Sequence, residues 1–236
     1  MSRLEDYGVS DQNSRMNTLM LLGSAPAFPS LLAWASAKGI KATVITSPDQ
    51  AGEVEGYGVR DAKVVEKFGD DLADVAISFG ARWVFSQDTI SRFGGRLLNA
   101  HGTRLPMDRG GGGFSWRIMR GDRIGALRLH KIDAGLDTGL VVASEDYVIP
   151  RNLRTPAEVM DDYHGRLGPF VIGYLEGSAQ ESGQPEGLGT YYPRLHTPTH
   201  SWIDWSWEAE EIERFILAFD DPFPGARTHW RNGVAI

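Results

Sequence analysis

Short apolar runs alternate with a helical pattern at the start of this chain. Residues 18–22 and 42–45 are apolar runs that predict buried strands, and between them residues 29–37 have a helical pattern that ends before Gly39. The order strand, helix, strand is typical of a parallel sheet with a right-handed crossover. The pattern therefore predicts an α/β fold with a mainly parallel sheet flanked by helices.

The later part of the chain continues this pattern with less regular spacing. Further strands are predicted at residues 75–78, 83–85 and 96–99, and across 126–148 with a turn at 133–135. Helices are predicted at 114–119, from the capping box of Thr155 and Glu158 to about 175, and at 208–219. We divide the chain into a flexible tail (1–15), a main domain (16–200) and C-terminal helix and strand elements packed on it (201–236).

Charge and composition narrow the range of partners. The formal net charge of the 236 residues is −7 and no Lys/Arg run is present, which argues against a nucleic-acid surface. The absence of cysteine excludes disulfides, thiolate catalysis and cysteine zinc sites. No apolar stretch is long enough to span a membrane, and no signal-peptide core is evident. These features predict a soluble cytoplasmic protein without a membrane or nucleic-acid partner.

Three polar residues with complementary chemistry fall on segments that the pattern places around the sheet. Asn99 and His101 are two residues apart on a predicted strand, so their side chains point to the same side. Asp137 follows within the sequence Gly-Leu-Asp-Thr-Gly. An amide can donate to an oxyanion, an imidazole can exchange a proton near neutral pH, and a carboxylate can fix its tautomer. Together they suit acyl transfer without a covalent nucleophile.

The sequence around these residues resembles the formyltransferase family, whose members move a formyl group from 10-formyltetrahydrofolate to an amine. Residues 99–106 with Arg109 and Gly110 are similar to the family's segment Asn-x-His-x-Ser-x-Leu-Pro…Arg-Gly. Residues 124–130 with 137–139 resemble its second segment. Three other segments resemble elements of the methionyl-tRNA and sugar branches: residues 22–31, 203–205 and 221–226. The resemblance implies a Rossmann-like formyltransferase fold, with a catalytic domain over 16–200.

The resemblance also implies the roles of particular residues. Asn99, His101 and Asp137 are expected to be catalytic, with 10-formyltetrahydrofolate as co-substrate and no metal. The residues expected to bind the folate are Phe79, Gly80, Trp83, Val84, Phe85, His130 and Asp133. Those expected to bind the acceptor are Ser24, Arg104 and Arg109. His130 has a second interpretation as a histidine satisfied within the sheet, and Asp133 as a turn former.

The acceptor that we expect is the amino group of a nucleotide-linked sugar, as in the sugar N-formyltransferase branch that serves cell-surface polysaccharides. The acidic balance disfavours tRNA, and the segments at 203–205 and 221–226 are unusual in the purine branch. Methionyl-tRNA or glycinamide ribonucleotide as acceptor, hydrolysis of 10-formyltetrahydrofolate, and a non-catalytic folate- or nucleotide-binding module remain alternatives. A homodimer is compatible with each of these functions.

The sequence departs from the family pattern at two places, and it contains one histidine pair at a spacing that metal sites use. Arg104 stands where an apolar residue is usual, and residues 110–113 are four glycines where a proline is normal, so we expect a mobile loop that closes over the acceptor. His196 and His200 are four residues apart, but the prolines around them argue against a helix that presents both to a metal.

Overall fold

A mixed six-stranded sheet forms the centre of the computed structural model, which describes residues 16–23, 25–46, 72–81, 84–177, 184, 189–230 and 233–235. In chain order the elements are β1 (Thr18–Gly23), α1 (Phe28–Lys38), β2 (Lys41–Ile45), β3 (Val75–Phe79), α2 (Gln87–Phe93), β4 (Leu97–His101), β5 (Asp108–Arg109), α3 (Gly113–Met119), β6 (Ile124–Lys131), β7 (Val141–Val148), α4 (Pro156–Leu175), β8 (Thr190–Tyr191), α5 (Thr197–His200), α6 (Ala209–Ala218), β9 (Thr228–Trp230) and β10 (Gly233–Ala235).

The strand order of the central sheet is β2-β1-β3-β4-β6-β7. The first four strands are parallel, whereas β6 is antiparallel to β4 and β7 is antiparallel to β6. The predicted α/β fold with a mainly parallel sheet is therefore confirmed. The direction changes between β4 and β6, which are the two strands that carry Asn99, His101 and His130.

The two faces of the sheet bury separate apolar clusters. Leu19 and Leu21 of β1 pack with α1 and α4 on one face, whereas Met20 and Leu22 pack with Phe93 of α2 on the other. Successive side chains of a strand point to opposite faces, so a strand covered on both sides has a continuous apolar run instead of an alternating one. This explains why residues 18–22 predicted a strand correctly.

Local capping signals set the ends of several helices. The predicted capping box begins α4, because Glu158 N–H donates to Thr155 Oγ1 at 3.4 Å and Thr155 N–H donates to Glu158 Oε2 at 2.9 Å. The prediction of a strand at 83–85 is wrong for its described residues, since Val84 and Phe85 precede α2 without strand pairing. Ser86 Oγ accepts from Thr89 N–H, so this serine begins a helix that the apolar pattern did not indicate.

The C-terminal elements pack on α3. Phe215 and Phe219, from α6 and its end, form an apolar cluster with Ile118 of α3. The short helix α5 was not expected, because prolines surround His196 and His200. It forms because Pro198 occupies one of the first helical positions, where a missing N–H leaves no hydrogen bond unmade. Among the described residues, no helix has the length and apolar character needed to cross a membrane.

Candidate active site

Asn99, His101 and His130 share one face where β4 pairs with β6. Asn99 lies directly opposite His130 in the antiparallel register, and residues opposite each other point to the same face. The Asn99 side-chain amide donates from Nδ2 to Nε2 of His130 at 3.1 Å. The rings of His101 and His130 are nearly perpendicular, with centroids 6.1 Å apart. Both histidines therefore turn one edge toward the same point above the sheet.

Asp137 occupies that point from the loop between β6 and β7. Its Oδ1 lies 3.8 Å from Nδ1 of His101 and 3.6 Å from Nε2 of His130. Its Oδ2 accepts a hydrogen bond from Gly110 N–H at 2.9 Å. The residue has a φ of 54°, in the left-handed region that Asp tolerates better than most residues. The structure therefore brings the three predicted catalytic side chains together, with His130 as a fourth member of the group.

Backbone carbonyls define which nitrogen of each histidine faces Asp137. The Nε2 atom of His101 lies 3.4 Å from the Asp108 carbonyl oxygen, and Nδ1 of His130 lies 2.9 Å from that of Lys131. A carbonyl only accepts, so these two nitrogens are the N–H donors. Consequently, in the neutral rings the lone pairs lie on His101 Nδ1 and His130 Nε2. Asp137 thus faces the basic nitrogen of each ring.

Burial and the neighbouring charges set the protonation of the site. Only 12% of the His101 and Asp137 side chains and 3% of the His130 side chain are exposed. Burial lowers the pKa of His101, and the charge of Asp137 opposes this only in part. Burial acts to raise the pKa of Asp137, but His130, His101 and Gly110 N–H lower it to about 2. The two rings have this effect when they carry a proton on the nitrogen that faces the carboxylate. At neutral pH the site therefore contains a carboxylate and a neutral His101.

Asp108 positions His101 and was missed by the sequence hypotheses. Its carbonyl oxygen also accepts from Thr103 Oγ1, while its buried carboxylate pairs with Nη1 of Arg120 at 3.0 Å. Arg104, predicted to bind the acceptor, lies in the same network, with Nε 4.0 Å from Asp108 and a hydrogen bond to Asp122. No motif indicated Asp108, because its role depends on a backbone carbonyl and on arginines from other segments.

The glycine run packs closely against the segment after β8. Gly110 has a φ of 103°, and a Cβ there would lie 2.2 Å from the carbonyl oxygen of Tyr192. A Cβ at Gly112 would lie 2.7 Å from the carbonyl oxygen of Pro193. The sequence interpretation was a mobile loop. In the structure Gly110 and Gly112 allow close approach of two backbones, and Gly110 donates its N–H group to Asp137.

The remaining predicted site residues are spread around this group. Arg109 donates from Nη2 to Gln184 Oε1 at 3.2 Å, and Gln184 Nε2 in turn donates to the Asp137 carbonyl oxygen at 3.1 Å. Asp133 has the turn-forming role, because its Oδ1 accepts from Gly135 N–H and Thr138 Oγ1. Ser24 and Trp83 lie outside the described residues.

The predicted folate residues around the end of β3 differ in their surroundings. Phe79 is buried edge-on against Phe28, with ring centroids 5.2 Å apart. Gly80 follows with a φ of 58°, and Val84 is 87% exposed. Phe85 packs partly against the cluster around Phe93. Gly80 and Val84 are therefore accessible to a ligand, whereas Phe79 is part of the core.

The site contains one group of side chains that could hold a metal ion. Within the described ranges, the ligand atoms of His101, His130 and Asp137 lie within 4.8 Å of one another. Two imidazoles and a carboxylate form a donor set that suits Zn²⁺ and related divalent ions better than Mg²⁺.

Two family models match this chain, and both describe formyl transferases. A family model described as formyl transferase matches residues 11–165, and one described as formyl transferase, C-terminal domain, matches 196–235. A methionyl-tRNA formyltransferase from Clostridium beijerinckii is 28% identical over 176 residues, which are 73% of this chain and 56% of that protein. The chain spans about half the length of the curated relatives that it matches.

Solved structures share the fold over most of the chain. A sugar N-formyltransferase from a Shewanella species has a TM-score of 0.75 and 12% identity, and the match covers 94% of this chain and 96% of that one. A sugar 3N-formyl transferase solved in the presence of dTDP and 5-N-formyl-THF has a TM-score of 0.67 and 17% identity, with 87% and 80% covered. At these identities the likeness shows the fold.

Proposed function

The chain is a member of the formyl transferase family, and we propose that it transfers the formyl group of 10-formyltetrahydrofolate to a primary amine. The observation that carries this proposal is the buried group of Asn99, His101 and Asp137 on one face of the sheet. The group combines an amide donor, a neutral base and a carboxylate, which are the functions that this transfer needs.

The proton path follows from the orientation of His101. The free amine attacks the formyl carbon, a C–N bond forms, and the carbonyl becomes an oxyanion. The attacking nitrogen then loses a proton to Nδ1 of His101, and the resulting imidazolium lies against the charge of Asp137. The imidazolium returns this proton to N10 of the folate as the C–N10 bond breaks. Proton, formyl group and leaving group are therefore balanced without a covalent enzyme intermediate.

Asn99 supplies the donor for the oxyanion. One N–H of its amide is engaged by His130, which fixes the amide plane, and the other N–H remains to bind the developing negative charge. A preorganised donor of this kind contributes roughly 2.7–4 kcal/mol to lowering the barrier. Asp137 acts through His101, since it stabilises the ring only after the ring has taken the proton.

For the folate, we propose the end of β3 as the binding region. Gly80, which follows the buried Phe79, and Val84 are both exposed, and a flat pteridine ring could lie against backbone and apolar side chains in this region. This part of the proposal is supported by the position of β3, which is the immediate parallel neighbour of β4. The predicted contributions of Trp83 and Ser24 stay expectations.

For the acceptor, we propose a nucleotide-linked amino sugar. Sugar N-formyltransferases of known structure share this fold over nearly the whole chain, and the net charge of −7 gives little electrostatic attraction for tRNA. Of the two predicted arginines, Arg109 is the better placed for a phosphate, because Arg104 is paired with Asp122. The curated methionyl-tRNA formyltransferases keep that tRNA as the second candidate.

The experiment is a direct comparison of acceptors. The purified chain is incubated with 10-formyltetrahydrofolate and, separately, nucleotide-linked amino sugars, charged initiator tRNA and glycinamide ribonucleotide. Tetrahydrofolate release and the mass gain of one formyl group are followed, with His101→Ala as the inactive control. We expect formylated sugar nucleotide. Turnover of tRNA alone would refute the acceptor, and formate release independent of any amine would refute the transfer.

A further inference from the structure

The two histidines and the aspartate of the site have the supporting contacts of a metal centre. Metal-binding histidines usually donate their other ring N–H to a carbonyl or carboxylate, which orients the ring and fixes the tautomer. His101 does this through Nε2 to Asp108, and His130 does it through Nδ1 to Lys131. Asp137 has one oxygen occupied by Gly110 N–H, so its other oxygen is free to coordinate.

Two of the three distances between ligand atoms are close to those of a tetrahedral site, and all three atoms lie within 4.8 Å of one another. Zn–N and Zn–O bonds of about 2.0–2.1 Å place neighbouring ligands of a tetrahedral site roughly 3.3 Å apart. Asp137 Oδ1 is 3.8 Å from His101 Nδ1 and 3.6 Å from His130 Nε2. Contraction by about half an ångström, which side-chain rotation supplies, forms both of these edges. The perpendicular rings allow both lone pairs to converge on one ion.

We propose that His101 Nδ1, His130 Nε2 and Asp137 Oδ1 reversibly bind one Zn²⁺-like divalent cation, and that the bound ion inhibits the enzyme. The ion occupies the lone pair of His101 that must receive the amine proton, and it neutralises Asp137. It also displaces the amide donor of Asn99 from His130, so the oxyanion donor loses its orientation. The fourth position is left to water. The binding step stands on the geometry alone, whereas inhibition rests on the proposed function.

The first test measures binding and does not require activity. Tag-free, chelator-treated protein is titrated with Zn²⁺ by calorimetry and with Co²⁺ by visible absorption. We expect one ion per chain and the spectrum of tetrahedral Co²⁺. Asp137→Asn and His130→Gln are expected to weaken binding by more than about tenfold, because even loss of a supporting contact has an effect of that size. Circular dichroism and thermal unfolding establish that each variant is folded.

A matched control removes the other histidine pair. His196→Ala/His200→Ala deletes two exposed histidines, one at the N-cap and one at the end of α5, and leaves the site intact, so this variant should bind Zn²⁺ like the parent protein. If the control loses binding while Asp137→Asn retains it, the ion is on the surface and the proposal is wrong. Absence of stoichiometric binding to the parent protein also overturns it.

The second test measures turnover in the parent protein. Zn²⁺ should reduce formyl transfer to a small fraction of its rate, EDTA should restore it, and Mg²⁺ at the same concentration should have no effect. Zn²⁺ that raises the rate, or binds at this site without slowing it, refutes the inhibition. If no formyl transfer is found with any acceptor, the proposed function fails, whereas the Zn²⁺ stoichiometry still decides the site.

Discussion

Gly110→Ala should damage both folding and catalysis, whereas Gly111→Ala should affect neither. At Gly110 a Cβ would lie 2.2 Å from the Tyr192 carbonyl oxygen, and the φ of 103° is unfavourable for alanine. At Gly111 the nearest atom is Cβ of Arg194 at 3.5 Å, an ordinary contact, and φ lies outside the left-handed region. Two adjacent glycines thus differ in whether the backbone and its surroundings can accommodate a Cβ.

The magnitude follows from the contacts of Gly110. A side chain at positive φ costs roughly 1–2 kcal/mol. Displacement of its N–H from Asp137 removes a hydrogen bond to a buried charge, which contributes about 1.5–3 kcal/mol. We therefore expect Gly110→Ala to lower the free energy of unfolding by about 3 kcal/mol. Gly111→Ala should change it by less than about 1 kcal/mol, and in the stabilising direction, because alanine reduces the entropy of the unfolded chain.

Urea unfolding at pH 7 measures the change in the free energy of unfolding, and kcat for formyl transfer measures the change in catalysis. Loss of the Gly110 contact should reduce kcat at least about tenfold, since 1.36 kcal/mol corresponds to a factor of ten. Gly111→Ala should retain the parental kcat. Equal effects of the two substitutions would contradict the conclusion that residues 110–113 are glycine for close packing. They would favour the sequence interpretation of a mobile loop.

Three other predictions concern the charged groups of the site. His101→Ala and Asp137→Asn should each lower kcat by about two to four orders of magnitude. Their losses should not be additive, because the carboxylate acts through the ring, and a double mutant whose loss is the product of the single losses would contradict this. The pKa of His101, measured by NMR from the pH dependence of the ring's chemical shifts, should lie below the ordinary histidine value of 6.5, because burial lowers it. Asp137→Asn removes the charge that opposes this, so the pKa should fall further, and a pKa above 6.5 would be inconsistent with the burial. Arg120→Leu should lower the free energy of unfolding by about 3 kcal/mol in urea, because it leaves the buried carboxylate of Asp108 without its closest partner, whereas Arg120→Lys should retain most of the stability.

The features that the sequence predicted well are those with a local or periodic signal. The strand at 18–22 was recognisable because burial on both faces makes it continuously apolar, and α4 because Thr155 and Glu158 satisfy each other's backbone groups. Ser86 also caps a helix, but no apolar periodicity followed it, so α2 was missed. A capping residue alone was therefore not enough to predict a helix without an apolar stripe.

Contacts made by backbone atoms, or between distant segments, were not predictable in this way. The Asp108 carbonyl fixes the tautomer of His101, yet nothing in the residue type of Asp108 indicates that its backbone, and not its carboxylate, meets the ring. Gln184 is a similar case, because it binds the carbonyl oxygen of Asp137 from a segment 47 positions away. Such roles depend on the path of the chain, which a single sequence does not reveal.

The region around Asp137 contains several features that folding alone would disfavour. Its φ of 54° is unfavourable for a residue with a side chain, and its carboxylate is largely buried. The pKa of about 2 indicates that His130, His101 and Gly110 N–H more than offset the effect of burial. Such a residue is retained only where its surroundings determine its conformation, and unfavourable features of this kind concentrate at functional sites. At neutral pH Asp137 is ionised beside a neutral His101, which is the charge state that the proposed formyl transfer and the proposed cation site both require.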